Sequence, residues 1–174
     1  WKGGDGDWDL VAANWIEAKF GDGKYIVGDK AVFSGGTGGV AVASGVNPSE
    51  MLVKNGADYV FSGNKVAIAA GHNTNTASGG LTADGSLRLE AGTRAIFQEG
   101  FSAERLDVSS ATIGIGKKSE VVAGGNAVLT NAIVDFTLAA DNALQVDGTL
   151  TVTNSTLNLD LFNAGVYTIA TAGG

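Results

Sequence analysis

The chain has 174 residues, including 27 glycines, one proline and no cysteine, and its formal net charge is −7 at pH 7. Its 11 Lys and Arg residues are scattered, which argues against binding to nucleic-acid phosphates or to an anionic membrane surface. Hydrophobic residues make up 44% of the chain, which excludes a disordered polypeptide and is enough for one domain with a sizeable core. The glycines follow no three-residue period, so collagen is excluded and many tight turns are indicated.

The first 28 residues differ from the rest because they hold all three tryptophans, Trp1, Trp8 and Trp15. Glycines between the first two tryptophans oppose a helix, since each costs about 1 kcal/mol in a helix interior. We therefore predict an irregular, aromatic-rich cap with short strands over residues 1–28. Its large rings would cover the apolar surface that a stack of strands leaves exposed at its end.

The opening stretch Gly3-Gly4-Asp5-Gly6-Asp7 partly matches the calcium-binding nonapeptide G-G-x-G-x-D-x-U-x. Trp8 occupies the position that requires an aspartate, and an indole cannot supply the oxygen ligands that calcium needs. The pattern also occurs only once, whereas sites of this type form between successive turns. We therefore expect no calcium site there, and a single histidine without cysteines gives no zinc site elsewhere.

From about residue 24 onward the chain consists of short β-prone runs separated by Gly, Asn, Asp or Ser. Each run has the alternation and β-branching of a strand, and no helical periodicity follows residue 28. An all-β chain is therefore predicted. The predicted strands are Tyr25–Val27, Lys30–Phe33, Gly39–Val42, Met51–Val53, Tyr59–Phe61, Lys65–Ile68, Ser86–Leu89, Arg94–Phe97, Arg105–Val108, Thr112–Ile115, Glu120–Val122, Ala127–Leu129, Ile133–Phe136, Leu144–Val146, Thr149–Val152, Thr156–Leu159 and Tyr167–Ile169.

Strands this short, with turns about every 6 to 9 residues, favour a parallel β-helix, and a β-sandwich is the alternative fold. Residues 29–174 would form about six or seven coils of roughly 20 to 25 residues each, in a single domain. We expect Val40, Val53 and Val66 to stack in register about 4.8 Å apart. Three segments repeat a strand, a polar-Gly turn and a second strand: residues 52–61, 81–89 and 143–152.

The phenylalanines and several asparagines have structural roles in this prediction. The phenylalanines recur near multiples of a coil length, which favours core stacks over a ligand platform. They are Phe33, Phe61, Phe97, Phe101, Phe136 and Phe162. Four asparagines are expected to form ladders at coil corners: Asn126, Asn131, Asn142 and Asn154.

The polar stretch from Gly71 to Gly80 interrupts the strand pattern and is predicted to be a loop extruded from the solenoid. A nucleophilic serine needs a positioned base and a third group that orients this base, and the chain has no G-x-S-x-G elbow. A solvated loop histidine is therefore favoured over a catalytic one. The candidate contacts to a ligand or partner are His72, Asn73, Asn75 and Ser78.

The densest acidic stretch, residues 84–107, carries the enzymatic alternative, a polysaccharide-cleaving β-helix. Such an enzyme needs carboxylates that project from adjacent coils onto one face, and a lyase also needs a basic side chain. The stretch has no D-x-D or D-D pair, which favours a solvated face of mixed charge. The candidate residues are Asp84, Glu90, Glu99, Glu104 and Asp107, together with Arg88, Arg94 and Arg105.

The pattern W-x-G-G-x-G-x-W-x-x-x-x-x-N-W spans Trp1 to Trp15 and is followed by Phe20-Gly21-Asp22-Gly23 and by Ala31-Val32-Phe33-Ser34-Gly35. The run from Gly39 to Pro48 then leads to Tyr59-Val60-Phe61-Ser62-Gly63. With these motifs in this order along the chain, residues 1–63 resemble the N-terminal region of autotransporter passengers. Passengers are the surface-exposed part of type V secreted proteins of Gram-negative bacteria. The resemblance implies a right-handed parallel β-helix, export through the periplasm, and display on or release from the cell surface.

Together with the absence of a catalytic constellation in the sequence, the resemblance favours a rigid, adhesive stalk without catalysis or cofactor, secreted or displayed at the outer membrane. Its expected partner is a protein or glycan on a host or neighbouring cell, and lateral self-association is a further expectation. We expect Trp1 to be a processed N-terminus and the chain to be a fragment of a longer passenger, whose missing C-terminal β-barrel would provide the only membrane anchor. The alternatives are a carbohydrate-binding or polysaccharide-cleaving β-helix, and a binding module that uses the loop 71–80.

Overall fold

The computed structural model of the chain describes residues 1–17, 21–69, 71–73, 81–116, 121–137, 142–160 and 168–172. All regular structure in these ranges is β-strand, and most strands pair in parallel with strands one coil away. None of the described residues belongs to a helix long and apolar enough to cross a membrane. The predicted all-β, parallel solenoid is confirmed, whereas its right-handed winding stays a prediction.

The described residues form 22 strands, most of them three to five residues long. In chain order they are β1 (Gly6–Trp8), β2 (Trp15–Glu17), β3 (Gly21–Gly23), β4 (Lys30–Ser34), β5 (Thr37–Val42), β6 (Glu50–Lys54), β7 (Asp58–Gly63), β8 (Val66–Ala67), β9 (Gly71–Asn73), β10 (Leu81–Ala83), β11 (Ser86–Leu89), β12 (Arg94–Phe97), β13 (Phe101–Ala103), β14 (Arg105–Ser109), β15 (Thr112–Ile115), β16 (Val121–Ala123), β17 (Ala127–Thr130), β18 (Ile133–Thr137), β19 (Asn142–Val146), β20 (Leu150–Thr153), β21 (Thr156–Asp160) and β22 (Thr168–Ala172).

Three parallel sheets form the sides of the solenoid. Sheet I contains β4, β6, β11, β14, β17 and β20, and sheet II contains β1, β5, β7, β12, β15, β18 and β21. Sheet III contains β8, β13, β16, β19 and β22. Each coil visits sheets I, II and III in that order, so the five strands of sheet III close five complete coils after a partial first coil of β4 and β5. The described ranges thus hold fewer complete coils than the six or seven predicted.

The core is a set of side-chain columns along the solenoid axis, because alternate residues of each strand point inward. In sheet II, Val40, Phe61, Phe97, Ile115 and Phe136 occupy one register column, and all are buried. The rings of Phe61 and Phe97 stack with centroids 4.9 Å apart and an interplanar angle of 13°. The predicted core positions of the phenylalanines are confirmed for Phe33, Phe61, Phe97, Phe101 and Phe136, and Phe162 lies outside the described residues.

At four of the corners between sheets I and II, one residue other than glycine adopts the left-handed conformation. The φ angles of Asn55, Ser110, Asn131 and Asn154 lie between 48° and 56°. Asparagine adopts this conformation at lower cost than most residues, which explains its recurrence here. The predicted corner positions of Asn131 and Asn154 are therefore confirmed.

The other two asparagines predicted at corners, Asn126 and Asn142, lie outside the corner between sheets I and II. Asn126 precedes β17 at the corner between sheets III and I, where its Oδ1 accepts a hydrogen bond of 2.9 Å from the Thr149 amide one coil later. Asn142 begins β19, and its side chain lies outside the described set. The predicted corner position of Asn126 is therefore also confirmed, at a different edge of the solenoid from Asn131 and Asn154.

The predicted aromatic cap is present at the N-terminal end. Trp8 is fully buried, and its ring centroid lies 5.3 Å from that of Trp15 and 5.4 Å from those of Tyr25 and Phe33. The cap also contributes β1 to sheet II, and β2 and β3 form an antiparallel hairpin. The strand predicted at Tyr25–Val27 is wrong, because Tyr25 turns into the cluster and its hydroxyl donates to the Asp29 carbonyl at 3.0 Å. The boundary at residue 28 stays a prediction.

The predicted stacking of Val40, Val53 and Val66 is wrong. They lie in β5, β6 and β8, one in each sheet, so they sit on three different sides of the solenoid. Each of the segments 52–61, 81–89 and 143–152 is a strand, a turn and a second strand, as predicted, but the three segments do not occupy equivalent positions in the coil. The first runs from sheet I into sheet II, the second begins in the β9–β10 hairpin, and the third runs from sheet III into sheet I.

Candidate functional site

An antiparallel hairpin is inserted at the predicted loop. Residues Gly71–Asn73 pair with Leu81–Ala83, and His72 lies opposite Thr82. The insertion separates β8 of sheet III from β11 of sheet I. It lengthens the register spacing to 36 residues between Met51 and Leu87, compared with 20 residues between Ala31 and Met51. The hairpin therefore lies at the corner between sheets III and I.

The ligand-contact role of this segment stays a prediction. The backbone of His72 and Asn73 belongs to β9, whereas their side chains lie outside what the structure describes. Asn75 and Ser78 also lie outside the described residues. The structure therefore locates the backbone of His72 and Asn73 on the solenoid, and it describes no side-chain contact of the four predicted residues.

Four charged side chains meet on the outer face of sheet I, and we call Asp84, Arg88, Arg105 and Asp107 the Arg–Asp cluster. The Arg88 Nη2 atom lies 2.7 Å from Asp84 Oδ2, and its Nε lies 3.8 Å from Asp107 Oδ2. The Arg105 Nε atom lies 2.9 Å from the same Asp107 oxygen. Asp107 thus contacts the guanidinium groups of both Arg88 and Arg105, and Asp84 forms a second ion pair with Arg88.

The cluster follows from the register between two neighbouring coils. Arg88 of β11 lies directly opposite Asp107 of β14, and the residues on either side of Arg88, Leu87 and Leu89, are buried. Because side chains alternate along a strand, Arg88 and Asp107 must point outward. Residues 19 positions apart in the sequence therefore become nearest neighbours on one surface.

The electrostatics of the cluster favour charged carboxylates. The Ser86 hydroxyl, followed by the Arg88 guanidinium and the Ser86 amide, holds the pKa of Asp84 below its usual value. A general acid for glycoside cleavage needs a raised pKa. The four side chains are about half exposed or less, so each ion pair contributes little to stability, roughly 0–1 kcal/mol. Asp84 is therefore suited to orienting arginine rather than to donating a proton.

The remaining acidic candidates are dispersed. Glu90 follows β11 at the corner between sheets I and II, Glu99 lies between β12 and β13, and Glu104 lies between β13 and β14. These positions are three different corners of one coil, so the structure does not bring the three carboxylates together. Among the described residues, no group of three or more His, Cys, Asp or Glu side chains is arranged to hold a metal ion.

Arg94 lies apart from the cluster, on the outer face of sheet II. Its Nη1 atom is 3.0 Å from Asp58 Oδ1 of the preceding coil, with which it shares a register position. Arg94 also lines a shallow, open groove of about 240 Å³ with Thr93, Ser110, Thr112 and Asn131 among its walls. This volume is below the roughly 300–1,000 Å³ of typical ligand pockets.

Sequence reasoning missed this groove, although the chain contains a signal for it. The corner between β11 and β12 has four residues, Glu90 to Thr93, whereas the corner between β14 and β15 has two, Ser110 and Ala111. The groove lies where these two corners adjoin, since Gly92 and Thr93 line it together with Ser110 and Ala111.

Comparison with protein-family models, with curated protein sequences and with solved structures finds no match to this chain. The geometry by itself defines the chain as a β-solenoid with an aromatic cap at one end. Its outer surface carries an inserted hairpin on one corner and the Arg–Asp cluster on one side.

Proposed function

We propose that the chain is a segment of a secreted or surface-displayed autotransporter passenger of a Gram-negative bacterium. It acts as a rigid stalk that contributes to adhesion and performs no catalysis. The observation that carries this proposal is the stack of parallel coils, whose backbone hydrogen bonds run along the solenoid axis from each coil to the next. Such a stack resists bending because every coil is bonded on three sides to its neighbours.

The residues that resemble autotransporter passengers support the proposal, because they coincide with the cap and the first coils. Trp8 and Trp15 form the centre of the cap. Gly38 allows the backbone of β5 to pack closely against the backbone of the cap, because a Cβ atom at this position would lie 2.5 Å from the Gly4 carbonyl carbon. Gly63 has a φ of +92° at the end of β7, a conformation suited to glycine. The motif therefore encodes the start of a solenoid.

The Arg–Asp cluster is the surface that adhesion would use. Arg88 and Arg105 are about half exposed, and each is oriented by an aspartate rather than buried by it. Guanidinium groups held in this way bind carboxylate or sulfate groups of a glycan or an acidic protein surface by paired hydrogen bonds. The expected partner is therefore an anionic glycan or protein on another cell.

An adhesion assay with a matched control tests the proposal. Beads coated with the purified chain are presented to cell layers and to arrays of sulfated, carboxylated and neutral glycans. We expect retention on anionic ligands, a large loss for the R88A/R105A variant, and no loss for R94A. Arg94 is an equally exposed arginine that is ion-paired to an aspartate on a different side. Retention no better than that of uncoated beads, or an equal loss in R94A, would contradict the adhesive role.

The polysaccharide-cleaving alternative rests on the concentration of carboxylates and arginines in residues 84–107. Incubation of the chain with a panel of polysaccharides, followed by measurement of new reducing ends and unsaturated products, tests it directly. Release of product that disappears in E99Q or E104Q would replace the stalk proposal with an enzymatic one. We expect no product above the level of a heat-denatured sample.

Secretion is tested separately from adhesion. The chain is placed between a secretion leader and a membrane-barrel translocator in a Gram-negative host, and intact cells are treated with protease. We expect the chain to be cleaved from intact cells, as a displayed passenger would be. Accumulation of a protease-resistant chain inside these cells, with a control passenger displayed normally, would argue against the proposal.

A further inference from the structure

The corner between β6 and β7 contains the only Asn-Gly pair of the chain, Asn55-Gly56. Both residues have positive φ angles, 56° and 70°, and the Ala57 amide donates a hydrogen bond of 3.2 Å to the Lys54 carbonyl. Positive φ at both central residues together with this hydrogen bond defines a type I′ turn, for which Asn-Gly is a preferred pair. The conformation of the corner therefore favours an asparagine followed by a glycine.

This turn exposes the two groups that react when an asparagine deamidates. Asn55 is exposed, and its Nδ2 atom donates a hydrogen bond of 2.7 Å to Ser34 Oγ of the preceding coil. Gly56 is also exposed, and its amide donates no hydrogen bond to any residue that the structure describes. A Cβ atom at Gly56 would meet no atom within 4 Å beyond its chain neighbours. The Gly56 nitrogen and the Asn55 carboxamide are therefore both accessible.

Deamidation at such a pair is intramolecular and needs only water as a second reactant. The Gly56 nitrogen attacks Asn55 Cγ, so that an N–Cγ bond forms and the Cγ–Nδ2 bond breaks. Ammonia leaves with the proton of the Gly56 amide, and water then opens the resulting succinimide ring. Addition of water at Cγ gives aspartate. Addition at the other ring carbonyl gives isoaspartate, in which the backbone runs through the Cβ and Cγ atoms of residue 55.

Asn131 provides a matched comparison at the same kind of corner. It is exposed and has a φ of 48°, close to that of Asn55. The residue that follows it is Ala132, whose amide donates a hydrogen bond of 3.1 Å to Ser155 Oγ. Ala132 is also buried, and its methyl group hinders ring closure in a way that glycine does not. The attacking nitrogen is therefore free at Asn55 and held at Asn131.

We propose that Asn55 is a site of spontaneous deamidation in the folded chain, because the free Gly56 amide can attack its carboxamide. This inference does not rest on the adhesive role of the chain. The reaction replaces a neutral side chain by a carboxylate, and so adds a negative charge at the corner between sheets I and II. It makes this corner a point at which the solenoid changes chemically with age.

The two products differ in their effect on the solenoid. The Ser34 hydroxyl can donate a hydrogen bond to the carboxylate of an aspartate, so this product keeps the corner. Isoaspartate lengthens the backbone by one carbon next to the Lys54 carbonyl, which accepts a hydrogen bond of 3.0 Å from the Gly35 amide of the preceding coil. The Gly35 amide should therefore exchange faster in the isoaspartate form, whereas N55D should leave its exchange unchanged.

Mass spectrometry of the aged 174-residue chain tests the inference. The chain is incubated at mildly alkaline pH and digested at acidic pH, and fragment ions locate each mass increase of about 1 Da. Enzymatic methylation of isoaspartyl carboxylates identifies the second product. We expect Asn55 to deamidate at least about 10-fold faster than Asn131, because the free amide and the missing side chain act together. Both sites are measured in one sample, so they share the same conditions.

Two variants separate the free amide from the Asn-Gly sequence. A132G creates an Asn-Gly pair at the matched corner and keeps the hydrogen bond to Ser155, so Asn131 should remain about 2–10-fold slower than Asn55. A132G/S155A removes this bond and should bring Asn131 close to the rate of Asn55. Both variants must show the circular dichroism spectrum of the unmodified chain, and the comparison of the two sites in the unmodified chain does not depend on them.

Three results would overturn the inference. An intact Asn55 in the folded chain, under conditions in which the urea-unfolded chain deamidates there, would show that the corner protects it. Equal rates at Asn55 and Asn131 in the unmodified chain would show that the free amide has no effect. Deamidation of Asn131 in A132G as fast as that of Asn55 would assign the rate to the glycine alone.

Discussion

Replacing Trp8 by alanine should release the cap from the solenoid without unfolding the central coils. Trp8 is fully buried and touches Trp15, Tyr25 and Phe33 with ring centroids 5.3–5.4 Å away. It also lies in β1, and its carbonyl accepts a hydrogen bond of 3.0 Å from the Ala43 amide. The substitution therefore removes the ring that joins cap and first coil while leaving the later coils untouched.

The size of the effect follows from the burial. Truncation of a buried tryptophan to alanine lowers the free energy of unfolding by about 3–5 kcal/mol. The loss combines the apolar surface that is no longer buried with the cavity that the ring leaves behind. In a solenoid each coil contacts only its neighbours, so the loss falls on the cap rather than on the whole chain. A change of this size raises the population of the locally opened cap by about 10²–10⁴-fold.

Hydrogen exchange at single amides is the assay that separates local from global loss. The Ala43 amide donates a hydrogen bond to the Trp8 carbonyl, so its exchange should become faster by the same fold-change as the local opening of the cap. The Ser110 amide, bonded at 2.8 Å to the Thr130 carbonyl in the central coils, should keep its protection. The control W8F keeps an aromatic ring and should cost less, about 2 kcal/mol.

Two results would refute this reasoning. Unchanged exchange at Ala43 in W8A would show that the ring cluster does not hold the cap. An equal loss at Ala43 and Ser110 would show that cap and coils unfold as one unit. The W8F control should be less destabilised than W8A, because the indole N–H that it also loses has no hydrogen-bond partner within the described residues.

Three further predictions concern the backbone and one titrating group. Ser110 has a φ of 50°, so S110G should stabilise the chain to urea by about 0.5–1 kcal/mol, whereas S109G in the adjoining strand should destabilise it. G38A should cost about 1–3 kcal/mol in thermal unfolding, because its Cβ would lie 2.5 Å from the Gly4 carbonyl carbon; an unchanged melting temperature would contradict this contact. Burial, followed by the Asp29 charge, raises the pKa of Tyr25 above its ordinary value of 10.0. The unfolded chain therefore ionises first, stability should fall as pH rises above 10, and Y25F should show a smaller fall in alkaline denaturation.

Most strands and several corners could be predicted from the amino-acid sequence alone. Alternation over Ser86–Leu89, Arg94–Phe97 and Thr112–Ile115 predicted three strands with the bounds that the structure shows. The prediction succeeded because one face of each strand is buried, so apolar and polar residues alternate along the strand sequence. The two asparagines at φ 48°, Asn131 and Asn154, were likewise readable, because few other residues tolerate that conformation.

Which strands stack on one another, and which side chains meet on the surface, could not be predicted from the sequence. Assigning Val40, Val53 and Val66 to different sheets requires the direction of each corner, which depends on packing against coils many residues away. The meeting of Arg88 with Asp107 depends on a 19-residue offset that an insertion such as the β9–β10 hairpin would change. Periodicity is a local property of the chain, whereas register is set by the stacking of whole coils.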